Sequence, residues 1–325
     1  MKEKNLFMSW NNSKSSSQLS SDSRSASTRI FDGFYEPKNI ALKQKFSRDV
    51  GIFTMGSCFA RELESAFSAD GFNILSMDNE SLQDADFVDK SKGVPTSGFF
   101  HRYNIPAMLQ EFQRSFGEIN FIEESSLLVE SQAEHFIDLN YSDNTSRLNL
   151  QGALQRREVG KRLVQRAAKA DIIILTLGLT EAWLYKPDNL YANTVPADYL
   201  IKYRHDFEFV QVSYDENLAM LERLYSLLCK HHATGNFNLI LTVSPVPLRH
   251  TFSQEDIVIA NMYAKSTLRT VATEFLKGKD NVTYFPSYEI AMYSHRDLVW
   301  RPDRVHINKE CVRFIIQVFR NNYIE

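Results

Sequence analysis

A chain of 325 residues with 43% hydrophobic and 24% charged side chains has the composition of a soluble globular protein, long enough to bury a large core as one domain carrying insertions. A formal net charge of −3, with no run of five like charges, excludes an obvious surface for nucleic acid or for an anionic membrane. Three widely spaced cysteines, Cys58, Cys229 and Cys311, exclude a disulfide scaffold and a paired-cysteine zinc site, and they fit a reducing, cytoplasmic setting.

The first residues hold too short an apolar run, NLFMSW, for a secretion signal, and no stretch approaches the ~18 apolar residues of a membrane span. Residues 9–28, SWNNSKSSSQLSSDSRSAST, are serine-rich and nearly free of large apolar side chains. Such a segment buries too little surface to offset its ordering entropy, so residues 1–28 read as a disordered tail and residues 29–325 as one folded domain.

From Val50 onward, short apolar runs alternate with amphipathic ones. VGIFTMG (50–56) reads as a strand leading into a helix near 59–70, and FNILSM (72–77) as a second strand. IPAMLQEFQRSF (105–116) has helical spacing. VGKRLVQRAAKA (159–170) is a helix feeding DIIILTLG (171–178), a run suited to a strand buried on both faces. ENLAMLERLYSLLCKHH (216–232) feeds NLILTVSPVP (238–247), NMYAKSTLRTVATEFLKG (261–278) feeds NVTYFPSY (281–288), and CVRFIIQVFRNN (311–322) closes the chain as a helix. Segments 117–150, with room for a hairpin, and 184–212 break the alternation and read as insertions over the site. The fold class is therefore α/β, with a mostly parallel sheet between two helical layers.

In such sheets, functional groups collect at the carboxyl ends of the strands. Those ends carry Gly56-Ser57-Cys58, Gly178-Leu179-Thr180-Glu181, Ser244-Pro245-Val246-Pro247 and Pro286-Ser287-Tyr288-Glu289. Ser57 falls between a buried strand and a helix N-terminus, where backbone N–H groups and the helix dipole favour negative charge. RPDRVHINKE supplies a base, with Asp303 three residues before His306, a spacing that lets a carboxylate hold one imidazole nitrogen while the other faces a serine. The plainer account makes Ser57 a helix cap and Asp303–His306 a surface pair.

The blocks GSCFA (56–60), LTLGLTEAW (175–183), LTVSPVPL (241–248), NMYAKSTLR (261–269), YFPSYEI (284–290) and the D-x-x-H at 303–306 together resemble the GSCFA family over roughly residues 30–320. That family looks like a branch of the SGNH, or GDSL-like, hydrolases. The resemblance implies a three-layer α/β/α fold with a flavodoxin-like sheet. It also implies Ser57 as nucleophile, His306 as general base, Asp303 as the partner orienting it, and an oxyanion hole drawn from the Ser57 N–H and Gly178. Thr180 stands where the superfamily has an oxyanion asparagine. A threonine donates one hydrogen bond from a shorter side chain, and Asn104 in HRYNIPAM is a candidate substitute, with a helix cap as its other account.

Further candidates follow from residue type alone. Cys58, at a helix N-terminus, is an alternative nucleophile or a small buried residue. Glu181 either positions a substrate hydroxyl, binds an arginine or forms a buried pair. Trp183 is an aromatic platform or core. Ser244 belongs to a rigid loop beside the pocket. Lys265 and Arg269, four apart, read as a solvated helix face, with a phosphate or carboxylate contact as the alternative. No histidine has metal-ligand spacing, so no metal site is expected. The expected activity is an SGNH-type serine esterase acting on small O-acyl esters, by analogy on a carbohydrate, with no cofactor. The alternatives are an acyltransferase drawing on acetyl-coenzyme A and a non-catalytic carbohydrate-binding protein. Oligomeric state is left open.

Overall fold

The computed structural model describes residues 9–10, 25–30, 33–42, 45–77, 100–119, 126–132, 134–141 and 148–325. Most of the serine-rich stretch expected as a disordered tail, residues 11–24, lies outside the described residues. So do 120–125, 133 and 142–147 of the first expected insertion. The chain divides into two compact units, a sheet unit over Asp49–Tyr284 and a terminal unit of Met1–Arg48 with Phe285–Glu325.

In the sheet unit the alternation is realised as strand β1 (Gly51–Gly56), helix α1 (Cys58–Ala69), β2 (Asn73–Ile74), α2 (Ile105–Ser115), a β3–β4 hairpin (Leu128–Gln132, His135–Asp138) and α3 (Leu150–Gln165). There follow β5 (Ile172–Leu177), β6 (Glu181–Tyr185), β7 (Leu190–Ala192), α4 (Ala197–Lys202), β8 (Phe207–Gln211), α5 (Tyr214–His231), β9 (Asn238–Val243), α6 (Ile257–Phe275) and β10 (Val282–Tyr284). Five strands form one wholly parallel sheet in the order β2-β1-β5-β9-β10. Counting only its own strands, the order is 2-1-3-4-5, the flavodoxin-like arrangement. The chain steps one way from β1 to β2 and the other way from β2 through β5 and β9 to β10. Right-handed crossovers then place α1 on one face and the later helices on the opposite face.

Local chemistry agrees with this architecture. Every residue of β1 and β5 is buried, as strands covered on both faces require. Asn104 caps α2 by accepting from the Ala107 N–H at 2.9 Å, Asp256 caps α6 through Val258 N–H at 2.8 Å, and Ser213 with Glu216 forms a capping box on α5. The second strand is much shorter than the run 72–77 suggests. Ser76 accepts from the Thr54 N–H at 3.0 Å and donates to the Glu64 carboxylate, so a side-chain network replaces the ladder after two residues. The segment 184–212 contains most of a three-stranded antiparallel sheet, β7-β6-β8, that starts at Glu181. Its apolar face shares a core with the hairpin through Leu127, Ile137, Leu139, Ala192, Tyr199 and Phe207.

The terminal unit joins the two chain ends. Helices α7 (Ser287–Tyr293), α8 (Arg296–Val299) and α9 (Lys309–Tyr323) come from the C-terminal part, and a single helical turn, Ala26–Arg29, from the N-terminal part. Phe46 bridges Ile324 in parallel, the Tyr35 N–H donates to Ser294 Oγ at 2.8 Å, and Phe34 stacks on Phe314 with ring centroids 4.9 Å apart. No helix among the described residues is long and apolar enough to cross a membrane.

Gly56 is a point of close approach between β1 and β5. It has φ +155°, and a Cβ built on it would stand 2.6 Å from both the Cβ and the carbonyl oxygen of Thr176 on β5. Neither neighbour is the free end of a flexible chain. Gly56→Ala is expected to destabilise the fold by about 1–3 kcal/mol through overpacking, read as a lower midpoint in urea unfolding.

Candidate functional site

Three neighbouring parallel strands end within one residue of one another: Gly56 pairs with Thr176, and Leu177 with Val243. The next residue of each strand is therefore Ser57, Gly178 and Ser244. Ser57 takes the N-cap position of α1, yet its side chain makes no cap hydrogen bond. Its hydroxyl instead donates to Ser244 Oγ at 3.1 Å. Both serines are buried, Ser57 at 4% exposure and Ser244 at 1%. Gly178 is held to a glycine by space, since a Cβ there would meet the Tyr103 carbonyl oxygen at 2.6 Å and the Ser57 Cβ at 3.5 Å.

The HRYN segment, 101–104, which ends in the candidate Asn104, lies across these strand ends. The Arg102 N–H donates to the Gly56 carbonyl at 2.8 Å, the Leu179 N–H donates to the Tyr103 carbonyl at 2.8 Å, and Asn104 bridges Leu179. Asn193 clamps it from the three-stranded sheet, accepting from the Tyr103 N–H and donating to the His101 carbonyl. Asn104 is buried beside the strand ends; its Oδ1 is the cap of α2, and among the described residues Nδ2 has no partner. Thr180 is fully buried and its Oγ1 accepts from Gln211 Nε2 at 2.9 Å, leaving the threonine proton free to donate.

Beneath the row lies a set of buried charges. Arg61 pairs with Glu64 at 2.8 Å and donates to the Thr54 carbonyl at 3.0 Å, fixing α1 onto β1. Arg102 pairs with Glu111 at 2.6 Å, and Arg114 pairs with the same carboxylate. Burial works against the Glu111 charge, but Arg114 and Arg102 outweigh it and hold the carboxyl down to about 2. His101 is pushed down to about 3 by burial, then by Arg61 and Arg102, which makes it a feeble base. Burial raises the Cys58 thiol against the pull of the Phe59 N–H and of Lys265, so the thiolate is disfavoured.

Glu181 makes no arginine pair among the described residues; its carboxylate accepts from the Thr251 hydroxyl and from the Phe252 N–H at 3.1 Å. Trp183 is packed edge-on by Phe209 at 5.4 Å and Phe252 at 5.0 Å, and the more exposed ring of the cluster is Phe252. Lys265 departs most from expectation. Far from facing solvent, it is 1% exposed and donates to the Gly178 carbonyl at 2.9 Å and the Val246 carbonyl at 2.8 Å.

In the terminal unit the D-x-x-H turn is closed by its own backbone. Trp300 bridges Ile307, the Arg301 N–H donates to the His306 carbonyl at 2.8 Å, and Arg304 adopts φ +59°. Asp303 Oδ1 accepts from the N–H groups of Val305 and His306, both at 2.9 Å, while Oδ2 meets His306 Nδ1 at 2.7 Å. The His306 side-chain bond leads, with these two backbone bonds, in holding the Asp303 carboxyl well below the usual carboxylate range. Nδ1 is thereby the donor, and Nε2 is the nitrogen open to a substrate or a hydroxyl. Asp303 and His306 are about half exposed. Among the described residues there is no cluster of three or more His, Cys, Asp or Glu side chains able to hold a metal ion.

Among known families, the model of the GSCFA family matches residues 51–319. No curated protein matches the chain significantly.

The Glu111 carboxylate carries a checkable pH dependence. Its folded value lies below the unfolded one, so its stabilisation is complete above about pH 4.5 and is lost as pH falls toward 2. Glu111→Gln leaves two buried guanidiniums without their counter-charge and is expected to cost about 3–5 kcal/mol at pH 7 in urea unfolding. The deficit relative to wild type should shrink as the pH is lowered through that window.

Proposed function

Since the chain belongs to the GSCFA family, we propose that it is a serine-dependent acyl hydrolase of the SGNH type. Ser57 is the nucleophile, His306 the general base and Asp303 the residue that orients the imidazole. The observation that carries this reading is the Ser57 hydroxyl. It sits at a helix N-terminus without capping it, and is turned to Ser244 in the row of strand ends.

Ser57 Oγ attacks the ester carbonyl, forming the acyl C–O bond while its proton passes to His306 Nε2. Collapse of the tetrahedral intermediate breaks the bond to the leaving alkoxide, which takes that proton. Water, deprotonated by the same imidazole, then releases the acyl group and regenerates the serine. The Ser57 N–H, Gly178, the Asn104 amide and the Thr180 hydroxyl are the donors proposed for the oxyanion. Asn104 and Thr180 each retain donor capacity beyond the bonds they make. The rise of the Cys58 thiol supports the serine over the cysteine. The 4% exposure of Ser57 favours a small acyl group, and O-acylated carbohydrate is the proposed substrate class.

Two measurements test this. Fluorophosphonate labelling with peptide mapping should place a single adduct on Ser57, absent in Ser57→Ala and slowed about 10³-fold or more in His306→Ala. No adduct, or one on Cys58, overturns the assignment. Asn104→Asp keeps an N-cap acceptor but removes the amide donor. Unchanged stability with turnover of a small acyl ester reduced about 10²–10³-fold supports its oxyanion role, and unaltered turnover removes it.

A further inference from the structure

Lys265 has a role that the serine, histidine and aspartate do not cover. It lies on the buried stripe of α6 with Ala260, Ala264 and Leu268, and its ammonium reaches past the ends of two strands. One hydrogen bond goes to the Gly178 carbonyl, immediately after β5, and one to the Val246 carbonyl, two residues beyond Ser244. The chain at Gly178 flanks Ser57, and Ser244 is the hydrogen-bond partner of Ser57. A single side chain thus ties together the two loops on either side of the Ser57 hydroxyl.

The charges around it are accounted for. From α1, the titratable group that Lys265 feels is Cys58, which in turn feels Glu62. From β6, the Glu181 carboxylate is engaged with Thr251 and Phe252. One turn along α6, Arg269 bonds Thr273 and lies over the Tyr284 ring at 3.9 Å. Among the described residues no carboxylate is within ion-pair distance of Lys265. Two carbonyl acceptors satisfy both N–H groups of a neutral amine, whereas an ammonium has a third N–H to place.

We propose, building on the serine-hydrolase reading, that Lys265 is a proton-linked positioning residue. It clamps the Gly178 and Ser244–Val246 loops around Ser57, and when charged it adds a positive field where the oxyanion forms. Burial lowers the amine to about 7, so the charge is present below neutrality and withdrawn above it. The rate at Ser57 should then carry a falling alkaline limb that belongs to neither Asp303 nor His306.

The test is the pH profile of fluorophosphonate labelling at Ser57 in the full chain, comparing wild type with Lys265→Met and Lys265→Arg. In Lys265→Met the alkaline limb should disappear and the rate at pH 6 should fall about 10- to 100-fold. Lys265→Arg, whose charge is permanent, should keep part of the low-pH rate and also lack the limb. A Lys265→Met profile superimposable on wild type overturns the inference and leaves the serine reading intact. A wild type that never labels at Ser57 overturns the serine reading and the inference with it. If the variants fail to fold, the 13Cε resonances of lysine in the wild type decide. One amine titrating near neutrality supports the inference, and every amine titrating near its ordinary value overturns it.

Discussion

Everything at the candidate site depends on how closely β1 can approach β5. The Gly56 backbone lies against the Thr176 side chain and carbonyl with no space for a methyl group between them. That contact sets the strand ends level, and the parallel registers carry the alignment across to β9. A second close approach, Gly178 against the Tyr103 carbonyl, lets the crossing segment lie directly over the row. Two glycines thus determine where the Ser57 and Ser244 hydroxyls meet. Substitution at either changes the spacing of the row before it changes any functional group.

Charge is used in two contrasting ways around this row. Arg61–Glu64 and Arg102–Glu111–Arg114 are paired, multiply hydrogen-bonded and nearly inaccessible. Such groups contribute little net stability against apolar replacements, but breaking one partner is severe, so they fix the relative placement of α1, α2 and the crossing segment. Lys265 is the opposite case, a buried cation answered by carbonyl dipoles. The Glu111 carboxylate keeps its charge through the neutral range, and the lysine does not. Rigid scaffold and adjustable charge are therefore supplied by different residues of the sheet unit.

Much of the fold can be read from the sequence because continuous apolar runs such as VGIFTM, DIIILTL and NLILTV fit only strands covered on both faces, and the helices between them are long and periodic. The strand-end loops follow from that alternation, as does the local geometry of Asp303 and His306, whose pairing needs only a four-residue turn. The rest is non-local. The second strand is cut short by Ser76, whose partners Thr54 and Glu64 are visible only in three dimensions. The sheet begun by EAWLY starts directly after the strand-end loop, so no turn signal of its own announces it. Arg102 and Asn193 act through backbone atoms of distant segments, which no residue pattern records. Lys265 left a faint signal. It shares the helical stripe of Ala260, Ala264 and Leu268, but its long charged side chain made a solvated face the simpler reading.

The terminal unit has a consequence for biosynthesis. Its N-terminal strip, through Gly33, Tyr35, Leu42 and Phe46, finds its partners in Ser294, His295, Asn322 and Tyr323. During translation the strip emerges before the sheet unit and waits while that unit is made, on the order of ten seconds or more at typical elongation rates. The sheet unit has its own strands and core and can collapse in that interval. The turn bearing Asp303 and His306 leaves the ribosome after the whole sheet unit, and only then can the waiting strip dock. A serine made early and a histidine made late mean that no nascent intermediate carries the complete proposed catalytic set.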